Sequence, residues 1–400
     1  MKILQLGKFY PIRGGVEKVM WDLTRGLARR SAAGEAGVSC DMLCAMLPGD
    51  GIDEADRPLL ASPEGEWPRV LQFGPDSRCV CVKALTKKAA TMISPAMVRW
   101  LRRHAAEYDL IHVHHPDPMA ALALRLSGYK GRVFVHWHSD IVKQKGLLKL
   151  YLPLQTWLLR RAERIVGTTP VYARESPYLT DYQHKVCYIP IGVEDNIRLV
   201  SEGTSERSDG GSLRGTPLNG NCAEGTSVQL FALGRLVEYK GFEYLVEGAR
   251  GLPENYCVEI GGEGPLREEL QRRIDATGVR VKLLGRISDA QVRRKMNECA
   301  VFVLPSVMKT EAFGIVQVEA MSCGKPVVAT TIPGSGTSWV NEDGVSGFNV
   351  PPRDSKALAE AILKLTADPQ TLQEFGARAR KRYETLFTID AMVDKYLEMI

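Results

Sequence analysis

No apolar run in the 400-residue chain approaches the roughly 20 residues that a membrane-spanning helix needs. The opening stretch, MKILQLGKFY, has neither the apolar centre nor the small-residue cleavage site of a leader peptide, and reads as a first strand. Nine cysteines are scattered along the chain and none forms a C-x-x-C pair. Their odd number and mostly apolar neighbours point to buried free thiols in a reducing cytoplasm. Nor does any recognised nucleic-acid motif accompany the chain's positive charge, so nucleic acid is not an expected partner.

The composition is that of a soluble globular protein, with 44% hydrophobic and 25% charged residues. Four hundred residues exceed one ordinary core and imply two domains. The net charge of +5 hides an asymmetry. Residues 1–191 carry 27 Lys+Arg against 18 Asp+Glu, and the remainder carries 25 against 29. A basic first half beside a mildly acidic second half suits an anionic surface, and a membrane fits better than nucleic acid.

Short apolar runs alternate with helical patterns throughout. In the first half, 2–7, 38–45, 110–115, 132–138, 164–169 and 186–192 read as strands; in the second, 228–234, 256–262, 281–285, 300–305, 326–331 and 347–350 do so. Helical spacing marks 16–30 and 93–107 among the segments between them. Residues 201–227, rich in Gly, Ser and Thr, have almost nothing to bury and read as a flexible insertion. Near-continuous apolar strands alternating with helices imply parallel sheets covered on both faces. The expected class is α/β, with two Rossmann-like domains facing a central cleft. The N-terminal domain is placed at 1–191, the linker with its insertion at 192–227, and the C-terminal domain at 228–387. Ligands of such sheets bind beyond the C-terminal strand ends, so the loops leaving the strands matter most.

One such loop holds EAFGIVQVE, residues 311–319, with two glutamates among mostly apolar neighbours. Glu311 falls in the loop after strand 300–305, Gly314 at a helix start and Glu319 within the helix. The amides at Gly314, Ile315 and Val316 offer an anion site. Carboxylates on either side of it suit the hydroxyl pairs of a sugar and a ribose, the two ends of a nucleotide sugar. A solvated loop charge and a salt-bridged helix residue are the plainer alternative. A retaining glycosidase pair needs carboxyls about 5–5.5 Å apart. Eight residues span about 12 Å as helix and about 26 Å extended, so nothing forces that approach.

In ALGRLVEYKGF, residues 232–242, Arg235 and Lys240 stand five positions apart on another strand-to-helix loop. That is a suitable place to stabilise charge growing on a diphosphate leaving group, the plainer alternative being two surface cations near Glu238. Gly14 and Gly15, in GKFYPIRGGVEK, allow close backbone approach before a helix N-terminus. Histidines alternate in LIHVHH and HWHSD. Three readings of them stand: a metal site on His112, His114, His136, His138 and Asp140, structural histidines bonded to backbone, or His138 facing a donor sugar.

Taken together, RGGVE, GRLVEYKG, GGEGPLREEL, LLGRIS, EAFGIVQVEAMSCGKPVVAT and GVSGFNVPP resemble the retaining glycosyltransferases of family 4, which have the GT-B fold. The resemblance covers nearly the whole chain outside 201–227. HHPDP and HWHSDIVKQKGLLKLYLPLQTWLLRRAERIV further resemble the bacterial O-antigen mannosyl- and rhamnosyltransferases. The resemblance implies that Arg235 and Lys240 bind the donor diphosphate and Glu311 the donor sugar. It implies likewise that Gly314, Ile315 and Val316 lie beside that sugar, Glu319 holds the ribose, and Arg286 and Ile287 meet the base. Gly14 and Gly15 would line the diphosphate and acceptor side, and His138 would be the active-site histidine. The last helix, about 388–400, would return to the first domain.

The implied reaction keeps the anomeric configuration and needs neither cofactor nor metal. The implied substrates are a nucleotide sugar, with GDP-mannose or GDP-D-rhamnose as first choice, and a lipid-linked glycan of lipopolysaccharide O-antigen synthesis. The Leu-rich basic stretch from Lys143 to Arg164 suits either the inner face of a cytoplasmic membrane, which implies a cytoplasmic, peripheral protein, or a core-facing helix with a solvated basic side. The alternatives are a metal-dependent hydrolase on the H-x-H-x-D stretch, and a GT-B sugar-nucleotide enzyme or binder that is not a transferase.

Overall fold

The strands follow the apolar runs of the sequence. A computed structural model describes residues 1–63, 65–88, 91–141, 145–197 and 228–400, with the side chains of 145–147 left out. The basic stretch therefore loses Lys143, Lys145 and Leu147 from description, and the 201–227 insertion lies wholly outside the described residues.

The chain divides into two compact units: Met1–Gly192 with Ile389–Ile400, and Val193–Thr388. The first contains β1 (Lys2–Phe9), α1 (Gly15–Ala32), β2 (Ser39–Met46), β3 (Arg69–Gly74), β4 (Ser77–Lys83) and the small hairpin β5 (Thr86–Lys88) and β6 (Thr91–Ile93). Then come α2 (Pro95–His104), β7 (Leu110–His115), α3 (Pro118–Ser127), β8 (Arg132–Trp137), α4 (Lys145–Arg161), β9 (Arg164–Gly167), α5 (Pro170–Arg174) and β10 (Val186–Tyr188). Eight strands form a sheet in the order β10-β9-β8-β7-β1-β2-β4-β3, parallel except for the β3–β4 pair. β1, β7 and β8 are buried almost end to end, as expected of strands covered by helices on both faces.

The second unit contains β11 (Val228–Leu233), α6 (Phe242–Gly248), β12 (Tyr256–Gly261), α7 (Arg267–Thr277), β13 (Val281–Gly285) and α8 (Asp289–Glu298). These are followed by β14 (Val301–Leu304), α9 (Ile315–Ser322), β15 (Val327–Thr330), α10 (Thr337–Val340), β16 (Gly347–Val350), α11 (Ser355–Leu365) and α12 (Pro369–Leu386). Its six parallel strands run β13-β12-β11-β14-β15-β16. This is the doubly wound Rossmann order, whose direction of winding reverses between β11 and β14. A ligand crevice is expected at that reversal, beyond the C-terminal ends of those two strands.

The last helix, α13 (Ile389–Met399), packs on the first unit. Met392, Val393 and Tyr396 are its buried face. Arg29 and Arg30 of α1 bind Asp390 and Asp394 at 2.5 and 2.8 Å. Cys40, Cys44, Cys79, Cys81, Cys187, Cys299 and Cys323 are free thiols, as anticipated. Cys257 departs from that expectation, being disulfide-bonded.

Candidate active site

The two loops at the reversal of the second sheet are tied together. The amide of Val307, after β14, donates to the Tyr239 carbonyl, after β11, at 2.8 Å. Gly241 has φ +65°, and a Cβ there would run into the Pro305 carbonyl oxygen. The glycine of the K-G pair therefore serves two needs, a left-handed turn and close packing of one loop on the other.

This packing brings Lys240 to Glu311. The Lys240 Nζ donates to Glu311 Oε2 at 2.5 Å, and the Ser306 hydroxyl donates to the same oxygen at 3.0 Å. Lys240 is 8% exposed. Burial pulls its ammonium pKa down, but the Glu311 carboxylate and Tyr239 outweigh that, and the net shift is upward. The ammonium stays charged beside the Glu311 carboxyl group in surroundings largely closed to water. Arg235 is exposed on the same loop.

The Glu311 loop is also held from behind. The Ser335 hydroxyl donates to the Glu311 carbonyl at 2.5 Å, and the Gly336 amide to the Ala312 carbonyl at 2.9 Å. The loop ends at Gly314, whose φ of +74° turns the chain into α9. Ile315 and Val316 begin that helix, where intrahelical acceptors for the amides run out. Glu319 lies one turn further along and is half-buried. Asn196 donates to its carbonyl at 3.3 Å and to the Ser322 hydroxyl at 3.1 Å, steadying α9. Arg286 is exposed just past β13 and Ile287 is half-buried beside it. The structure thus gathers Lys240, Glu311 and Gly314 around the C-terminal ends of β11 and β14, and sets Arg286 and Ile287 after the outer strand β13.

In the first unit, Gly14 caps α1 in extended conformation. The buried Glu17 carboxylate turns back against it, where a Cβ on Gly14 would meet Glu17 Oε2. The helix thus carries an acidic group of its own in its first turn.

His138 follows β8 and is 5% exposed. Its Nε2 lies 2.9 Å from His114 Nδ1, and His114 Nε2 lies 2.7 Å from Gln5 Oε1. Gln5 in turn donates to the Tyr396 hydroxyl at 3.3 Å. Gln5 has only an acceptor to offer His114, so His114 Nε2 carries the proton, His114 Nδ1 accepts, and His138 Nε2 donates. Burial, with smaller contributions from His136 and Lys8, pushes the His138 pKa well below the usual histidine range.

His112, His114 and His136 come within 4.8 Å of one another by their ring nitrogens. The His112 and His136 rings stack at 5.3 Å with planes 16° apart, and His136 stacks on His138 at 4.1 Å. His114 has both ring nitrogens engaged, with Gln5 and with His138, so the trio does not offer three free ligands. Asp140, the last member of the H-x-H-x-D reading, accepts instead from Trp137 Nε1 at 3.0 Å and from the Ser176 hydroxyl at 2.7 Å. Among the described residues, Asp140 is not grouped with the histidine nitrogens as that reading required.

Three features went unanticipated in the sequence: the Lys240–Glu311 contact, the Ser306 and Ser335 bonds that fix Glu311, and the hydrogen-bonded chain behind His138. Only the last left a trace, in the alternation that places His114, His136 and His138 on one sheet face.

Two family models match the chain. One, described as "Glycosyl transferases group 1", covers residues 222–382, and the other, "Glycosyl transferase 4-like domain", covers residues 14–192. The chain is 32% identical over 403 residues to O-antigen chain mannosyltransferase C of Escherichia coli, spanning 100% of this chain and 98% of the relative. It is 34% identical over 302 residues to D-rhamnosyltransferase WbpZ of Pseudomonas aeruginosa, spanning 75% of each. Among solved structures, Anabaena Alr3699/HepE in complex with UDP superposes with a TM-score of 0.71 at 21% identity, covering 100% of this chain and 99% of that one. The lipopolysaccharide outer core galactosyltransferase WaaB superposes with a TM-score of 0.65 at 15% identity.

Proposed function

Because the chain belongs to glycosyltransferase family 4 and is a glycosyltransferase, we propose that it transfers mannose or D-rhamnose from a GDP-sugar to a lipid-linked glycan of O-antigen synthesis. The observation that carries this reading is the buried Lys240–Glu311 pair at the sheet reversal, with Arg235 on the same loop. Lys240 and Arg235 take the donor diphosphate, and Glu311 takes the hydroxyls of the donor sugar. The amides at Ile315 and Val316 take an anionic oxygen, Glu319 the ribose hydroxyls, and the Arg286–Ile287 backbone the base. Gly14 and Gly15 serve the diphosphate and acceptor side, and His138, whose Nε2–H is held by His114, accepts from a donor-sugar hydroxyl through Nδ1.

In the proposed reaction the bond from the anomeric carbon to the diphosphate breaks as the acceptor oxygen bonds the same face of that carbon. The acceptor's proton passes to the departing phosphate oxygen. Charge grows on the diphosphate, where fixed cations supply several kcal/mol of stabilisation. An uncommitted carboxylate beside the anomeric carbon could itself attack. Here Glu311 Oε2 already accepts from Lys240 and Ser306, which suits holding a sugar rather than attacking one.

The membrane-facing part of the proposal rests on α4. Leu150 is 80% exposed beside the exposed Lys149, on a helix whose Leu158 and Leu159 are buried. No described helix is long and apolar enough to cross a membrane, so attachment there would be peripheral. The test is transfer of radiolabelled sugar from GDP-mannose and GDP-D-rhamnose, with UDP-sugars as controls, to a lipid-linked acceptor in EDTA. The anomeric configuration of the product is read by NMR. Retained configuration with one GDP-sugar supports the proposal; an inverted product, or transfer only from UDP-sugars, contradicts it.

A further inference from the structure

β2 and β4 are parallel neighbours, with Cys44 paired in register with Cys81. Cys79 lies two residues before Cys81 and therefore faces the same side of the sheet. All three are fully buried free thiols. Their sulfurs form a closed triangle: Cys44 to Cys79 is 3.8 Å, Cys44 to Cys81 is 3.5 Å, and Cys79 to Cys81 is 3.7 Å. Thiolates bound at about 2.3 Å to a tetrahedral ion stand about 3.8 Å from one another. The triangle thus already has close to the dimensions of one face of such a site. One pair of thiols in contact is ordinary core packing; here three sulfurs come together closely enough to be ligands of one ion. Met20, Met42 and Met46, in the same core cluster, add soft thioethers.

A second observation concerns charge. Arg69, on β3, pairs in register with Cys81 and so lies on the same face. Its Nε is buried and has no hydrogen-bond partner among the described residues. Three thiolates around a monovalent or divalent cation carry a net negative charge, and a guanidinium alongside would offset it.

We propose that Cys44, Cys79 and Cys81 form a structural site for a soft closed-shell cation, Cu(I) or Zn(II), in the first unit and separate from the transfer chemistry. Thiolate ligands select such ions over Mg(II) or Mn(II). Each ligating thiol releases its proton to solvent on binding, so the ion enters as the protons leave. β3 is the outer strand of the sheet, so local opening of that edge gives a route in.

The test uses the full-length protein, reduced and freed of metal, titrated with Zn(II) or Cu(I) against a chromophoric competitor. Native mass spectrometry gives the stoichiometry and ultraviolet charge-transfer absorption reports thiolate ligation. The expected result is one ion per chain with a thiolate band. Cys44→Ala, Cys79→Ala and Cys81→Ala should each weaken binding at least tenfold, whereas Cys299→Ala should not. Arg69→Gln, which leaves the thiols intact, should weaken it severalfold. Absence of a thiolate band with either ion in the wild-type protein overturns the proposal without recourse to any variant. So does binding that survives all three cysteine substitutions.

Discussion

Replacing Lys240 with methionine keeps most of the side-chain volume and removes the ammonium. Glu311 then keeps only the Ser306 hydroxyl for its Oε2, in a place where the two side chains of the pair are 10% and 12% exposed. Removing one partner of a fully buried pair costs about 3–5 kcal/mol. The remaining hydroxyl bond and the slight exposure reduce this to about 2–3 kcal/mol, which lowers the melting temperature of a unit this size by about 5–10 °C. Glu311→Gln should relieve most of that cost, because no uncompensated charge remains. The double-mutant cycle should therefore give a coupling energy of about 1–3 kcal/mol. Transfer should fall by about 10²–10³ in kcat for Lys240→Met, the usual loss when one group facing developing charge is removed. Calorimetric melts of the four proteins and initial rates at saturating donor supply both readouts. Additive single effects, together with a Lys240→Met rate above half that of the wild type, would refute the reasoning. The Lys240 pKa is raised, so the pair's contribution is complete below about 10.5 and disappears only as pH rises beyond the folded value; neutral assays read it in full.

Three further outcomes follow from the same geometry. His112, His114, His115, His136 and His138 are buried with depressed pKa values, His115 and His136 at about 3, chiefly through burial. The unfolded chain takes up protons below about 6.5 that the native state refuses, so stability is present above that pH and is lost as pH falls below it, down to about 3 for His115 and His136. The loss is about 1.4 kcal/mol per pH unit for each histidine. Denaturant midpoints at pH 7.5, 6.5 and 5.5 should fall accordingly, and the slope should shrink by one proton in His136→Phe; a flat profile contradicts it. Gly241→Ala should unfold the second unit or lower its melting temperature by more than 5 °C, since the Cβ collides with backbone rather than with a side chain that can move. Leu150→Glu and Lys149→Glu should each weaken binding to phosphatidylglycerol vesicles, by about 1.5–3 and about 1 kcal/mol, without changing the melting temperature. Unchanged sedimentation with vesicles contradicts the membrane role of α4.

The central strands of both sheets were legible because they are buried on two faces and read as apolar runs. The runs at 110–115, 281–285 and 347–350 coincide with β7, β13 and β16 to the residue. What escaped was the outer part of the first sheet. β3 is half-exposed along most of its length, so its hydrophobic signal is weak, and the Gly-Pro-Asp-Ser turn at 74–77 was its best marker. Residues at the candidate site were visible one at a time, as a cation after β11 and a carboxylate after β14. Their contact was not, because adjacency of β11 and β14 is a property of strand order, and spacing along the chain carries no record of it. The same holds for Cys44 beside Cys79 and Cys81, which are 35 residues or more apart in sequence.

The central claim is that residues 235–319 of the second unit form a donor site that needs no metal. Thermal shift of the wild-type and Glu319→Ala proteins with GDP-, UDP-, ADP- and dTDP-sugars in EDTA tests it most directly. A ligand at 100 times its dissociation constant stabilises the fold by about 2.7 kcal/mol. GDP-sugars in EDTA should raise the melting temperature, and Glu319→Ala should abolish that shift. A shift that Glu319→Ala leaves intact, or one that appears only when a divalent metal replaces the chelator, would contradict it.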